Sequence, residues 1–143
     1  NKKGYLSLIN KLSLNKKNYL SLIDELSLTK NIVLNDNFIE PHNIKYYLNV
    51  SELIVQPYIQ ATQSGMTALA ISYNKIIVTT GVGGIKEIIN KDNGYICSKD
   101  PISISKNIIS ALKSNNNNKI EELALLKKKL SWNNFCSHLM KNI

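Results

Sequence analysis

The chain has 143 residues and a mass of 16.1 kDa, the usual length of a single domain. Its 18 basic residues are all lysines, and its 10 acidic residues leave a formal charge of +8. A hydrophobic fraction of 43% argues against a disordered or fibrous chain. No apolar run approaches the length of a membrane-spanning helix. The two cysteines, Cys97 and Cys136, lack metal-ligand spacing and suit a reducing, cytoplasmic compartment.

The positive charge carries little information about a nucleic-acid partner. Arginine supplies the bidentate fork that reads guanine edges and phosphates, and the chain has none. We therefore expect no specific nucleic-acid partner. The Lys127–Lys129 cluster is interpreted as a solvated helix face. A peripheral contact with the inner face of an anionic membrane is the alternative left open.

The chain opens with a repeat, in which residues 5–15 are echoed by residues 19–29. The second copy has apolar residues at helical spacing and predicts a helix over 17–28. The first copy fits a helix or a strand equally well. Residues 1–16 are therefore treated as a poorly assigned N-terminal segment, and residues 17–143 as one domain.

Short apolar strands then alternate with helical stretches. Strands are predicted at 32–34, 53–56, 76–79 and 95–97. Helices are predicted at 42–49, 66–73, 85–90, 102–113, 120–130 and 132–143, with an asparagine-rich linker at 115–118. This alternation predicts an α/β fold, a Rossmann-like parallel sheet with helices on both faces. The strand at 53–56 is apolar on both faces and is expected inside the sheet.

Two loops follow strands of this sheet at their carboxyl ends, where parallel sheets bind ligands. In the first loop Gln63 and Ser64 offer side-chain donors, and the free amides of Gly65, Met66 and Thr67 open a helix. A helix N-terminus of this kind is a phosphate site. The alternative is that Ser64 only caps the helix.

The second loop is Gly81-Val-Gly-Gly84, followed by Ile85-Lys-Glu87. Gly83 and Gly84 allow a ligand to approach the backbone closely. The run matches neither the dinucleotide fingerprint nor the phosphate loop of nucleotide triphosphatases. The alternative is an ordinary tight turn, with Glu87 a solvated carboxylate.

Five stretches carry a family resemblance in their order and spacing. They are SELIVQPY at 51–58, TQSG at 62–65, IIVTTGVGGIKE at 76–87, NGYIC at 93–97 and DP at 100–101. Together they resemble the C-terminal, nucleotide-sugar-binding lobe of retaining glycosyltransferases of family 4. The resemblance covers residue 17 to the C-terminus.

The resemblance implies the C-terminal half of a two-lobed GT-B fold, with the donor bound between the lobes. It assigns the donor diphosphate to Gln63, Ser64, Gly65, Met66 and Thr67, and the donor sugar to Gly83, Gly84 and Glu87. It implies a nucleotide-diphosphate sugar as donor, no obligatory metal and no further cofactor. A glycan or lipid-linked acceptor would bind through an N-terminal lobe, which this chain is expected to lack as a C-terminal fragment.

The sequence departs from the common family pattern in two respects. Residues 53–86 contain no acidic residue, so the usual Glu-x7-Glu motif is absent, and the loop has the Gln-Ser-Gly form of a family subset. The arginine and lysine that the family places upstream to hold the diphosphate are also missing. No catalytic residue is assigned. The alternative function is a non-catalytic, drifted nucleotide-binding module.

Overall fold

The computed structural model describes residues 16–141. The chain divides into two compact units between Ile39 and Glu40. The first unit contains helix α1 (Lys16–Glu25), which falls inside the helix predicted at 17–28 apart from its first residue. The first copy of the repeat lies outside the described residues. The predicted domain boundary after residue 16 therefore stays a prediction.

The strand predicted at 32–34 is wrong. These residues form an irregular segment, and the side chain of Val33 is 95% exposed. The apolar run predicted a strand from local propensity alone. A strand also needs a neighbour for its backbone groups, and none of the described strands pairs with this segment.

The second unit carries the sheet and most of the helices. In chain order its elements are α2 (Pro41–Val50), β1 (Leu53–Gln56), α3 (Gly65–Ser72), β2 (Ile76–Thr80), α4 (Ile85–Ile88), β3 (Tyr95–Cys97), α5 (Pro101–Lys113), α6 (Asn117–Lys129) and α7 (Trp132–Met140). Each begins within three residues of its predicted start. Pro41 and Pro101 open α2 and α5, where a missing backbone N–H costs nothing.

The described strands form one parallel sheet in the order β1-β2-β3, with Leu53 opposite Ile76 and Val78 opposite Tyr95. All five residues of β2 are buried. Successive side chains of a strand point to opposite faces, so both faces of the sheet are covered at β2. The predicted α/β class with a Rossmann-like parallel sheet is confirmed. The position of β1 is not as predicted, because it forms an edge of the described sheet.

The core lies around β2. Helix α5 contacts all three strands, helix α3 contacts β2, and α6 packs against α3. The buried side chains of α3 are small or branched: Thr67, Ala70 and Ile71. The short side chain of Ala70 lets the helix lie close to the sheet. This close packing holds the start of α3 at the carboxyl end of β1.

The asparagine-rich stretch is an ordered junction and not a loose linker. Asn116 precedes α6; its side-chain oxygen accepts a hydrogen bond from Tyr95 Oη at 2.9 Å, and its amide nitrogen donates to the carbonyl of Ala111 at 2.7 Å. The side chain therefore joins β3 to the end of α5. The composition of the stretch does not predict these two hydrogen bonds, because Tyr95 lies on a distant strand and Ala111 on the preceding helix.

Candidate functional site

The two loops predicted to lie at the carboxyl ends of the strands contact each other directly. The backbone N–H of Gly84 donates to the carbonyl of Thr62 at 2.9 Å. Gly83 has a φ of +52°, and a Cβ built on it would lie 1.6 Å from the carbonyl oxygen of Ala61. A Cβ on Gly84 would lie 2.7 Å from the carbonyl oxygen of Thr62. Both positions therefore need glycine.

The contact between the loops creates an open pocket of about 610 Å³. Its lining residues come from both loops and from α4: Ala61, Thr62, Gln63, Gly83, Gly84, Lys86, Glu87 and Ile88. Lys86 and Glu87 are the charged groups among them, and both are exposed. The pocket thus offers one cation, one carboxylate and the polar side chains of Thr62 and Gln63 to a ligand.

The structure brings together one half of the predicted site residues. Gln63, Gly83, Gly84 and Glu87 line the pocket. The other predicted residues, Ser64, Gly65, Met66 and Thr67, follow Gln63 directly and form the start of α3 without lining that pocket.

Ser64 acts as the N-cap of α3, as the alternative interpretation held. Its Oγ accepts from the backbone N–H of Thr67 at 3.3 Å and lies 3.0 Å from the Tyr58 hydroxyl. The Thr67 N–H also points to the Ser64 carbonyl, at 3.0 Å. Within the described residues, the backbone N–H groups of Gly65 and Met66 have no partner, as expected at a helix start.

A buried polar network connects this cap to strand β1. Gln56, at the end of β1, is 3% exposed, and Thr67 is 2% exposed. The Thr67 hydroxyl donates to Gln56 Oε1 at 2.8 Å, and Gln56 Nε2 lies 3.5 Å from Ser64 Oγ. Buried polar groups are tolerated only when they are paired. The network therefore ties the start of α3 to the last residue of β1.

Two threonines at the end of β2 hold the segment that enters the loop. The Thr79 hydroxyl lies 3.2 Å from the carbonyl of Gln56, and the Thr80 hydroxyl lies 2.5 Å from the carbonyl of Tyr58. Both threonines are buried. The backbone on either side of Pro57 is thus fixed by side chains of the neighbouring strand.

Sequence reasoning missed two residues of this region. Lys86 precedes Glu87 in the quoted motif, but its spacing alone gave it no role. Gln56 is a polar residue at the end of an otherwise apolar strand, and a polar residue at such a position indicates a buried hydrogen-bond partner. Both gain significance only when the loops after β1 and β2 lie side by side.

The remaining titratable candidates lie elsewhere. Cys97 is buried at the end of β3, where its thiol points to the carbonyl of Thr79 at 3.3 Å. Burial raises the pKa of the Cys97 thiol. Residues 16–141 contain no group of three or more His, Cys, Asp or Glu side chains that could hold a metal ion.

Comparison with known proteins places the chain in a family. The sequence model of the family described as "Glycosyl transferases group 1" matches residues 10–114. The chain belongs to this family of glycosyl transferases. Its fold is that of part of a GT-B glycosyltransferase.

A solved structure supports the fold assignment. The chain superposes on sucrose-phosphate synthase from Thermosynechococcus elongatus with a TM-score of 0.68 and 15% sequence identity. The match covers 87% of this chain and 32% of that synthase, so the chain spans about a third of its length. A search of curated proteins finds no match.

Proposed function

We propose that this chain is the donor-binding lobe of a retaining glycosyltransferase of family 4 that uses a nucleotide-diphosphate sugar. The observation that carries the proposal is the meeting of the two loops. The Gly84 to Thr62 hydrogen bond builds one pocket at the carboxyl ends of β1 and β2, next to the unpartnered amides of Gly65 and Met66.

The donor diphosphate is assigned to the start of α3. The helix dipole and the amides of Gly65 and Met66 favour an anion there, and Gln63 adds side-chain donors. Ser64 and Thr67 act indirectly in this proposal, because the structure pairs the Thr67 amide with Ser64. Their part is to hold the two free amides in place.

The donor sugar is assigned to the second loop. Gly83 and Gly84 allow close approach, and the Glu87 carboxylate can accept hydrogen bonds from sugar hydroxyls. Lys86 is the cation of the pocket. As the bond between sugar and diphosphate breaks, negative charge grows on the diphosphate, and amides and a cation fixed beforehand stabilise it. This chemistry needs no metal ion at the site.

A titration of the ¹⁵N-labelled chain with UDP and with GDP tests the donor site. We expect the amide signals of Gly65 and Met66 to shift, and that of Thr67 to shift less because it stays bonded to Ser64. Gly65→Val is the test variant. A Cβ on Gly65 meets no atom within 4 Å, so the position has room for the start of a side chain that would obstruct the approach to the amides. Unchanged amide signals from β2 control for the fold.

We expect Gly65→Val to weaken nucleotide binding at least ~10-fold, the loss of about one charge-assisted contact. Ser72→Val, at the exposed far end of the same helix, is the matched control and should bind like the parent. Equal binding by both variants would place the nucleotide elsewhere. Shifts confined to Lys127–Lys129 that disappear with salt would mean a diffuse basic patch.

The second candidate is a non-catalytic nucleotide-binding module. It is favoured by the absence of any acidic residue in 53–86, which leaves Glu87 as the carboxylate lining the pocket. The two functions separate in the longer protein that would carry an acceptor-binding lobe. An enzyme would consume a nucleotide sugar in the presence of a glycan or lipid-linked acceptor, and a binding module would only retain the nucleotide.

A further inference from the structure

The turn between α4 and β3, residues 89–94, contains the one Asn-Gly pair in the sequence, Asn93 and Gly94. Asparagine before glycine is the pair most prone to lose its side-chain amide, because glycine has no side chain to keep its backbone nitrogen away from the asparagine. Both residues are buried, and Asn93 is 6% exposed. The turn therefore holds a chemically labile pair inside the fold.

The packing of the turn requires glycine at the second position. A Cβ built on Gly94 would lie 2.6 Å from Cγ2 of Ile89 and 3.0 Å from the carbonyl oxygen of Ile77. The carbonyl oxygen belongs to the central strand β2, which has little freedom to move. A larger residue that would slow the reaction does not fit there.

The hydrogen bonds of the turn require an amide side chain at the first position. Asn93 Nδ2 donates to the carbonyl of Ile88, the last residue of α4, at 3.0 Å. Its Oδ1 accepts from the backbone N–H of Asn90 at 2.8 Å. An aspartate has the same size but no donor at neutral pH. The structure therefore needs both members of the labile pair.

The same hydrogen bonds hold the pair in an unreactive arrangement. Deamidation starts when the backbone nitrogen of Gly94 attacks Cγ of Asn93. In the folded turn the Gly94 N–H donates to the carbonyl of Asn90 at 2.9 Å, and both polar atoms of the Asn93 side chain are bonded. These three hydrogen bonds must break before the ring can close. Opening of the turn therefore precedes the reaction.

We propose that Asn93 is a deamidation site that the folded turn protects, and that the reaction, once the turn has opened, destabilises the turn permanently. The Gly94 nitrogen loses its proton and bonds to Cγ of Asn93, the Cγ–Nδ2 bond breaks, and ammonia leaves with that proton. Water then opens the cyclic imide at either of its carbonyl carbons and leaves aspartate or isoaspartate at position 93. Water is the only co-reactant.

Each product lacks something that the turn needs. Aspartate still accepts from the Asn90 N–H, but its second oxygen faces the Ile88 carbonyl oxygen, and two acceptors then meet in a buried place. Isoaspartate adds a methylene group to the backbone next to Gly94, where packing leaves no room. Ile88 also lines the pocket of about 610 Å³, so the modification alters a wall of that pocket.

Mass spectrometry of tryptic peptides measures the reaction. The purified 143-residue chain is incubated in native buffer and in urea that unfolds it, at one pH and one temperature. Lys91 and Lys99 bound the peptide 92–99, which becomes heavier when an acid replaces the Asn93 amide. We expect deamidation to be at least ~100-fold slower in the native chain, because only the open fraction reacts. The asparagines at 115–118, none followed by glycine, are the internal reference and should react more slowly than Asn93 in urea.

A variant that loosens the turn tests the source of the protection. Asn90→Ala removes the Oδ1 that accepts from the Asp92 N–H at 2.8 Å. It should raise the native rate about fivefold, the effect of one lost hydrogen bond, and leave the rate in urea unchanged. Asn35→Ala removes the same kind of bond, from the Asn37 N–H at 3.1 Å, in the first unit. This matched control should change neither rate.

A second pair of variants tests the damage. Asn93→Asp reproduces one product and should raise the unfolding equilibrium constant at least ~10-fold, measured by urea titration. Asn115→Asp makes the same chemical change at an exposed position, where the side-chain oxygen accepts from the Asn117 N–H at 3.0 Å. An aspartate oxygen accepts equally well there, so this control should be as stable as the parent.

Three results would overturn the proposal. Equal rates for Asn93 in native buffer and in urea would show that the fold gives no protection. A rate in urea no higher than that of the asparagines at 115–118 would show that the pair is not labile. Equal stability of Asn93→Asp and Asn115→Asp would show that the modification leaves the turn intact. The first two results come from the parent chain and do not depend on the folding of any variant.

Discussion

Helices α3 and α7 begin with the same kind of cap, but α3 is partly buried in the core and α7 is exposed. Each is preceded by a serine, Ser64 or Ser131, whose Oγ accepts from the backbone N–H three residues later at 3.3 Å. Helix α3 buries Thr67, Ala70 and Ile71, and α7 buries none of its residues. The hydrogen bond between the serine hydroxyl and its own helix is the same in both, so the difference in burial comes from what surrounds each helix.

The surroundings of the two caps explain this difference. Ser64 is held by Tyr58 and by the buried Gln56, which connect it to the sheet. Within residues 16–141, Ser131 Oγ donates to the carbonyl of Lys128, in the turn before its own helix. The start of α3 is therefore fixed relative to β1 and can present amides to a ligand. Among the described residues, the hydrogen bonds of the Ser131 hydroxyl and the Asn134 amide connect the start of α7 to the end of α6.

Truncation of one apolar side chain in each helix should give the largest difference in the free energy of unfolding between α3 and α7. Ile71→Ala removes a side chain that is 3% exposed and should lower the free energy of unfolding by about 2–5 kcal/mol, because it leaves a cavity. Leu139→Ala, at a half-exposed position, should change it by less than about 0.5 kcal/mol. Urea unfolding followed by circular dichroism measures both. A cost for Leu139→Ala as large as that for Ile71→Ala would show that α7 is packed against the rest of the unit.

Removal of the capping hydroxyl should also lower the free energy of unfolding more in α3 than in α7, with a smaller difference between the two helices. Ser131→Ala should cost about 1 kcal/mol, the value of a helix cap. Ser64→Ala should cost about 2 kcal/mol, since it also deprives Tyr58 and the buried Gln56 of a partner. Ser64→Thr restores an acceptor and should recover part of the loss. Equal costs for the two alanine variants would mean that the Gln56 network adds nothing to the cap.

The two cysteines allow the simplest measurement of the difference between α7 and the core, namely their rates of reaction with a thiol reagent. Cys136, exposed on α7, should react with a thiol reagent in the native protein at the rate of a free thiol. Cys97, buried beside Thr79, should react only when the protein opens. Fast labelling of both would show that the β3 edge of the core opens readily.

The raised pKa of Cys97 also predicts a pH dependence of stability. The folded state retains the thiol proton longer than the unfolded state. This contribution is complete at neutral pH and is lost as the pH rises above the ordinary thiol range and through the folded-state pKa. Cys97→Ala should remove that alkaline loss, and Cys136→Ala should leave it unchanged. Denaturant midpoints measured across the alkaline range test the sign.

The sequence alone determined the parallel sheet of β1, β2 and β3, because each strand is a short apolar run bounded by proline, glycine or polar residues. It also marked Gln63, Gly83, Gly84 and Glu87, which line one pocket in the structure. These signals are local or belong to one continuous motif. Position relative to the carboxyl ends of the strands then follows from the parallel topology.

Only the tertiary structure decided the features that depend on a partner distant in sequence. The apolar run at 32–34 has the composition of a strand but pairs with none of the described strands, and β1 lies at an edge of the described sheet. Gln56 and Lys86 gained their significance when the loops after β1 and β2 met. The apolar residues of α7 have the periodicity of a buried helix but are exposed here, since periodicity records which face is apolar and not what covers it.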